Sequence, residues 1–455
     1  MTLLTILAIQ VCLLIVGYLM AVVFGVAQKL EALAVAYLLG SGVVSIVFLL
    51  LHWLFGLNLD ATNFIASVFL TGGLAFLITK RMKKTKEMTD FRLTKTSRVL
   101  KSLSVFEKSL LILLFILVGY TIIENYVWPV TAWDSLALYD FRARVMAVHG
   151  NMVEGIQLGY FFQYPPFTSF LHLFGYVFGN ERIKLAYSFI FASLLTSFFV
   201  LLRRKQPLWI ALLGTLFLAV DSYIFGHSTV AYTNLSYVTF LTLGLIYLLF
   251  WFHEGAKKDL LLGAFLLGLS TWVRSSEPFW LVGIGLILLR LFTKREQVFL
   301  GLLMIFLMVG ISRLWGIFVQ SLYAANNFYP AARRSLLAIV LSSRFSFELL
   351  LSRIQEIGGY FYLYSLNVWR YLLLPFGFSF YYDWRAKNKH NLTLAVMVGL
   401  LLSMLFGGIF IFSLYYETWN LITDSLQRVS MVFPPLLIYF IFSSQIWKQH
   451  GTQRR

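Results

Sequence analysis

Residues 1–55 read MTLLTILAIQVCLLIVGYLMAVVFGVAQKLEALAVAYLLGSGVVSIVFLLLHWLF. Two apolar runs flank one short polar break, VAQKLE at 26–31. Each run is long enough, at about 20 residues, to cross the hydrocarbon core of a bilayer as a helix. The first run has no basic residue before it and no small-residue cleavage site after it, so it reads as a retained first span rather than a signal peptide.

The same pattern recurs to the end of the chain. Of the 455 residues, 59% are hydrophobic and 13% charged, where a soluble domain carries about 25% charged residues. Mean hydropathy is +0.79. The expected fold is therefore all-α: a polytopic transmembrane helical bundle without a separate soluble domain. We place about 13 spans, near 3–25, 32–55, 61–79, 109–127, 185–202, 207–225, 233–252, 260–274, 277–292, 298–320, 357–382, 392–412 and 429–447. Residues 1–108 form an N-terminal three-span segment with a basic loop at 80–108. Residues 109–320 form a central core with a long loop at 128–184, in which two amphipathic stretches are expected to lie as interfacial helices. Residues 321–455 hold the last spans, with loops at 321–356 and 413–428. The single cysteine, Cys12, lies inside the first run, so no disulfide framework forms within the chain.

The formal charge is +17, and topology accounts for it. Placing 80–108 in the cytoplasm and alternating sides puts 26–31, 203–206, 253–259, 290–297, 383–391 and 448–455 there as well. This set holds 25 of the 37 Lys and Arg and 8 of the 20 Asp and Glu, and the rest of the chain is neutral. Nucleic acid is not needed to explain the excess. The expected orientation has the N-terminus outside and the C-terminus in the cytoplasm of a plasma membrane. Of 16 lysines only Lys184 falls outside, where the remaining basic residues are all Arg. Arginine forms planar, bidentate contacts with phosphate and carboxylate. The outer arginines therefore read either as lipid-headgroup anchors or as a phosphate-handling face.

The first long outer loop begins Trp133-Asp134-Ser135-Leu136-Ala137-Leu138-Tyr139-Asp140-Phe141-Arg142-Ala143-Arg144. A carboxylate just beyond a span end, as at Asp134, can deprotonate or orient an incoming hydroxyl. It can equally cap a helix and pair with Arg142 or Arg144. Asp134 and Asp140 are six apart and do not share one face of a straight helix. Further on come Tyr164-Pro165-Pro166, a helix start, and the apolar FTSFLHLFGYVFG at 167–179. Arg274 and Glu277 in TWVRSSEPFW sit at membrane depth, three apart before Pro278, where the helix is expected to break. Ionisable residues at that depth are candidates for function, and these two also suit a structural ion pair. His149, His172 and His227 read as interfacial or capping residues. No P-loop, dinucleotide-binding glycine pattern, HExxH or CxxC is present.

The order WDSLALYDFRARV, YPPFTSFLHLFGYVFG, AYTNLSYVTFLTLGLIYLLF (231–250), LLGAFLLGLSTWVRSSEPFWL (261–281), with Arg428 before the Pro-Pro of the last span, resembles the C-type glycosyltransferase superfamily of membrane enzymes. Within it the chain is similar to the branch of protein O-mannosyltransferases and lipid A aminoarabinose transferases. The likeness covers about 128–290, and more weakly 424–436. Asn234 stands where many members have Asp, three extra N-terminal spans precede the one that leads into the Asp loop, and that loop has no Asp-x-Asp.

The resemblance implies an inverting transfer of a sugar from a polyprenyl-phosphate donor to a glycan, lipid or protein acceptor on the non-cytoplasmic face. Asp134 would be the base. Arg428, Arg333, Arg334 and Arg274 would hold the lipid phosphate, whose charge grows as the glycosidic bond breaks. Glu277, Asp140, Arg142, Tyr164, Tyr232 and Asn234 complete the expected substrate-binding set. No cofactor and no metal ligand is expected, and a divalent metal is left open. A lipid-linked oligosaccharide polymerase or ligase is one alternative. A lipid or sugar transporter is another, and it would favour paired broken helices in two halves, of which only the break near 274–278 is visible.

Overall fold

A computed structural model describes residues 3–81, 103–157, 164–294, 297–327, 347–416 and 419–449. All regular structure among them is helical, and nine helices are long and apolar enough to cross a membrane.

The chain begins with α1 (Leu3–Val23), α2 (Lys29–Phe55) and α3 (Ala61–Arg81). Helices α1 and α2 pack backbone to backbone. A Cβ on Gly17 would lie 1.7 Å from the Ala36 carbonyl oxygen, and one on Gly40 would lie 1.8 Å from that of Leu13. Small residues at a crossing permit this approach in an apolar solvent, where dispersion rather than the hydrophobic effect joins helices. Helix α4 (Val105–Val127) starts four residues before the expected span because Ser104 and Glu107 form a reciprocal cap. Ser104 Oγ accepts from Glu107 N at 3.2 Å, and Glu107 Oε2 accepts from Ser104 N at 2.9 Å.

The long loop then folds into a π-helical turn (Ser135–Asp140), α5 (Phe141–His149) and α6 (Phe167–Tyr176). Helix α6 is buried over Phe167–Gly175. The N-terminal spans cover it: Phe48 meets Phe170 and Phe174 at 5.2 and 5.4 Å between ring centroids, and Phe64 meets Phe174 at 4.7 Å. A helix expected at the interface is thus enclosed by α2 and α3.

Helices α7 (Leu185–Arg203), α8 (Leu208–Ala219), α9 (Thr233–Glu254) and α10 (Lys257–Val273) follow. Helix α9 is the centre of the bundle, with 94% of its apolar window buried against 17% for α4 at the rim. The expected span 207–225 is interrupted. Asp221 caps a new short helix by accepting from the backbone N–H of Tyr223 and Ile224 at 3.1 and 2.8 Å. The 12-residue α8 therefore reaches about 18 Å, short of a bilayer core of about 30 Å.

After α10 the backbone is extended at Arg274 and Glu277. The residue before a proline is driven out of the helical region, so Pro278 fixes this break. Helix α11 (Leu281–Thr293) resumes behind it, followed by α12 (Val298–Ala325). The expected span 357–382 is kinked rather than straight. It comprises α13 (Phe347–Tyr360), a π-turn at Phe361–Ser365, a tight turn at Arg370–Leu372, and α14 (Leu373–Arg385). Pro375, in the first turn of α14, offers no N–H to the preceding turn. Helix α15 (Lys389–Tyr415) leads to α16 (Thr423–Ser430) and α17 (Phe433–Ser443). Most of the expected loop 413–428 is thus helical, and Arg428 stands on α16.

The bundle has two polar ends. At one, Arg204 donates to both oxygens of Asp259 at 2.9–3.0 Å and to Glu31, and Lys258 Nζ reaches Glu31 at 2.8 Å. Gln297 Nε2 meets the Gly255 carbonyl at 2.9 Å, and the Gln445 backbone N–H meets Asp383 at 3.0 Å. Described members of the loops 26–31, 203–206, 253–259, 290–297 and 383–391 therefore gather at one end. The candidate site lies at the other.

Candidate active site

Four separate stretches converge at the second end. The first is the π-turn. Its wider ladder sends the two aspartates of the loop to different partners. Asp134 meets Nη1 of Arg428 in an ion pair across 294 residues of sequence. Asp140 turns inward to Arg144 Nε at 2.8 Å and to the Tyr176 hydroxyl, and the His172 ring nitrogen Nδ1 lies 3.3 Å away. Burial works against the Asp140 charge, but His172, Arg144 and Tyr176 outweigh it and bring its pKa to about 2. His172 is fully enclosed, and burial lowers its own pKa, so the ring is neutral near pH 7. Its Nε2 pairs with the Tyr187 hydroxyl at 2.9 Å. His172, expected as an interfacial residue, therefore belongs to a buried Asp–His–Tyr chain.

The second stretch is the Tyr-Pro-Pro turn. Arg142 is buried and donates to the carbonyls of Tyr164 and Pro165 at 2.8 and 3.0 Å and to Ser169 Oγ at 2.8 Å. It acts on the turn. The turn in turn presents the Tyr164 ring to Arg274, whose guanidinium carbon lies 5.7 Å from the ring centroid.

The third stretch is the break after α10. Arg274 and Glu277 pair through two contacts, Nη2 to Oε1 at 2.7 Å and Nε to Oε2 at 3.0 Å. Ser276 Oγ donates to Glu277 Oε2 at 2.7 Å. Neighbouring Tyr139 places its hydroxyl 3.3 Å from Thr233 Oγ1 at the start of α9, and burial lifts its pKa to about 12.

The fourth is α16 with the start of α9. The Arg428 guanidinium carbon lies 5.3 Å from the Tyr232 ring centroid. Arg428 Nε reaches the Asp424 carbonyl at 3.3 Å, and Nη2 reaches Ser425 Oγ at 3.4 Å. The His227 ring is 5.8 Å from Tyr232. Burial, and then the Arg428 charge, push the His227 pKa down to about 4. Asn234 is buried in the first turn of α9.

A cavity of about 320 Å³ joins the third and fourth stretches. Tyr164, Arg274, Ser276 and Glu277 form one wall, Ser425 and Val429 of α16 a second, and Met404, Ile409 and Phe412 of α15 a third. Arg428 stands behind Ser425. No family model matches the chain, and no curated protein or solved structure matches it. The reading of the site thus rests on its own geometry.

Of the residues expected to bind substrate, Arg274, Glu277 and Tyr164 share the cavity wall, and Arg428, Asp134 and Tyr232 cluster beside it. Asp140 and Arg142 lie behind the Tyr-Pro-Pro turn. Arg333 and Arg334 lie outside the described residues. Tyr139, His227 and Ser425 complete the site without any signal in local sequence spacing. Among the described residues, no three His, Cys, Asp or Glu side chains gather as a metal site.

Proposed function

We propose that the chain is a membrane glycosyltransferase of C type. It moves a sugar from a polyprenyl-phosphate donor to an acceptor hydroxyl, with inversion, on the non-cytoplasmic side of a cell membrane. The long apolar helices cross that membrane, with the N-terminus outside. The observation that carries this reading is the cavity beside Arg428. It offers an arginine–carboxylate wall at one side and the apolar flank of α15 at another, which suits an amphiphile with a polar head and a hydrocarbon chain.

The residues divide the work. The acceptor oxygen attacks the anomeric carbon, and its proton passes to Asp134. The bond between the anomeric carbon and the phosphate oxygen breaks, and the electron pair stays on the departing prenyl phosphate. Arg428 neutralises that growing charge. Arg274 is held flat by Glu277. The remaining lone pairs of Glu277 and the hydroxyls of Ser276 and Tyr164 are placed to read sugar hydroxyls. Met404, Ile409 and Phe412 take the first isoprene units.

The test is sugar release and transfer from a panel of radiolabelled polyprenyl-phosphate sugars by the purified full chain and by Asp134→Asn. Wild type is expected to consume one donor, and the variant to bind that donor and leave it intact. Failure of wild type to bind or consume any donor would remove the reading.

A further inference from the structure

Both phosphate-binding candidates next to the cavity are already neutralised. Arg274 carries Glu277 on two contacts, and Arg428 carries Asp134. The two pairs differ in kind. The Arg274–Glu277 side chains are each 11% exposed and three residues apart on one rigid break. The Arg428–Asp134 side chains are 24% and 30% exposed and lie 294 residues apart in the sequence. A partly exposed ion pair contributes little to stability, so it gives way readily to a better anion. Arg428 also stays in place without Asp134. The Asp424 carbonyl, Ser425 Oγ and the Tyr232 ring hold it from its own side. Neutral His227 adds no competing cation there.

Resting on the function proposed above, we infer that the Asp134–Arg428 pair is an exchange latch: the donor's phosphate takes Arg428 from Asp134, and the released carboxylate becomes the base. One event thus loads the electrophile and frees the group that accepts the acceptor's proton. An empty site keeps Asp134 occupied, which guards the activated sugar against attack by water before the phosphate is seated. The sugar transfer itself is unchanged. The acceptor oxygen–carbon bond forms, the carbon–oxygen bond to phosphate breaks with its electrons on phosphate, and the proton ends on Asp134.

The latch makes an unusual prediction, since removing the base should strengthen donor binding. Binding of a polyprenyl monophosphate, which carries no sugar, is measured on the purified full chain by native mass spectrometry and by thermal shift. Asp134→Asn is expected to bind about fivefold more tightly than wild type, the worth of one partly exposed ion pair. Asp134→Ala serves as a second variant and should move the same way. Arg428→Gln is expected to weaken binding about tenfold or more. Asp134→Asn should give no gain when added to Arg428→Gln, because the two residues act on one bond. If wild type binds the probe and both Asp134 variants bind it equally or more weakly, the latch is wrong and the donor reading stands. If no form of the protein binds the probe, the donor reading falls and the latch falls with it.

Discussion

Replacing Arg142 by Met tests how the Tyr-Pro-Pro turn is held. Arg142 is 6% exposed and makes three hydrogen bonds of 2.8–3.0 Å to Tyr164, Pro165 and Ser169. A methionine fills similar volume but leaves two carbonyls and a hydroxyl without this donor. Hydrogen bonds to a charged group are each worth about 1.5–3 kcal/mol. The three share one guanidinium and do not add in full, so the expected loss is about 3–5 kcal/mol, concentrated at the turn. The prolines have no amide hydrogens, so the readout is hydrogen exchange in the first two turns of α6, beginning at Phe167. A local loss of about 3 kcal/mol accelerates exchange on the order of 100-fold. Arg142→Lys should recover only part of the protection, because an ammonium cannot reproduce the fork. If Arg142→Met folds and α6 exchanges at the wild-type rate, packing alone holds the turn and Arg142 does not position Tyr164.

Three further outcomes follow from the same structure. Arg204→Met should destabilise the purified protein by about 3–5 kcal/mol, because Glu31 and Asp259 are buried and lose their shared cation; adding Glu31→Gln and Asp259→Asn should recover most of that in thermal unfolding. His227 is held neutral, its pKa lowered from 6.5 to about 4 by burial and by Arg428. The stability that depends on its neutrality is therefore fully present above pH 6.5 and is lost as pH falls toward 4. Unfolding midpoints measured across that window should decline in wild type and flatten in His227→Gln. Gly40→Leu should cost about 3 kcal/mol, since its Cβ would sit 1.8 Å from the Leu13 carbonyl oxygen. Reduced thermal stability with α1 protected less in hydrogen exchange is the expected signature, and wild-type values would mean that α1 and α2 can separate freely.

The long helices were legible because an apolar run of span length has few other fates. The break before α11 was legible too, since Pro278 constrains the residue ahead of it. Asp221 hid the interruption of the expected span at 207–225, because an Asp among apolar residues reads equally as a tolerated polar residue or as a cap. The kinks between Tyr360 and Leu373 depend on how α13 and α14 pack, which local composition does not record. In the site, the Arg274–Glu277 pair was visible at a spacing of three. The partnership of Asp134 with Arg428 was not, since 294 residues separate them and only tertiary folding joins them. Asp140 and Arg142, expected in the substrate-binding set that the resemblance implies, turn their side chains to Arg144, Tyr176 and the Tyr-Pro-Pro turn, contacts that their local sequence does not record.

The two polar ends of the bundle use the same chemistry under different exposure, and exposure decides what each can do. At the Arg204 end both carboxylates are almost fully enclosed, with side-chain exposures of 0% and 1%. Separating that network would strand charges in an apolar interior, so it fixes α2, α7 and α10 against one another. At the Asp134 end the pair is about one quarter open to its surroundings, and either partner can be rehydrated or captured at small cost. The N-terminal spans serve this contrast. By covering α6 with Phe48 and Phe64, they keep the Asp140–His172–Tyr187 chain dry and the Tyr-Pro-Pro turn rigid. The Asp134–Arg428 pair then stands more open than the Arg274–Glu277 pair of the neighbouring wall. A site arranged so can change partners at Arg428 without loosening the frame that aims the remaining groups.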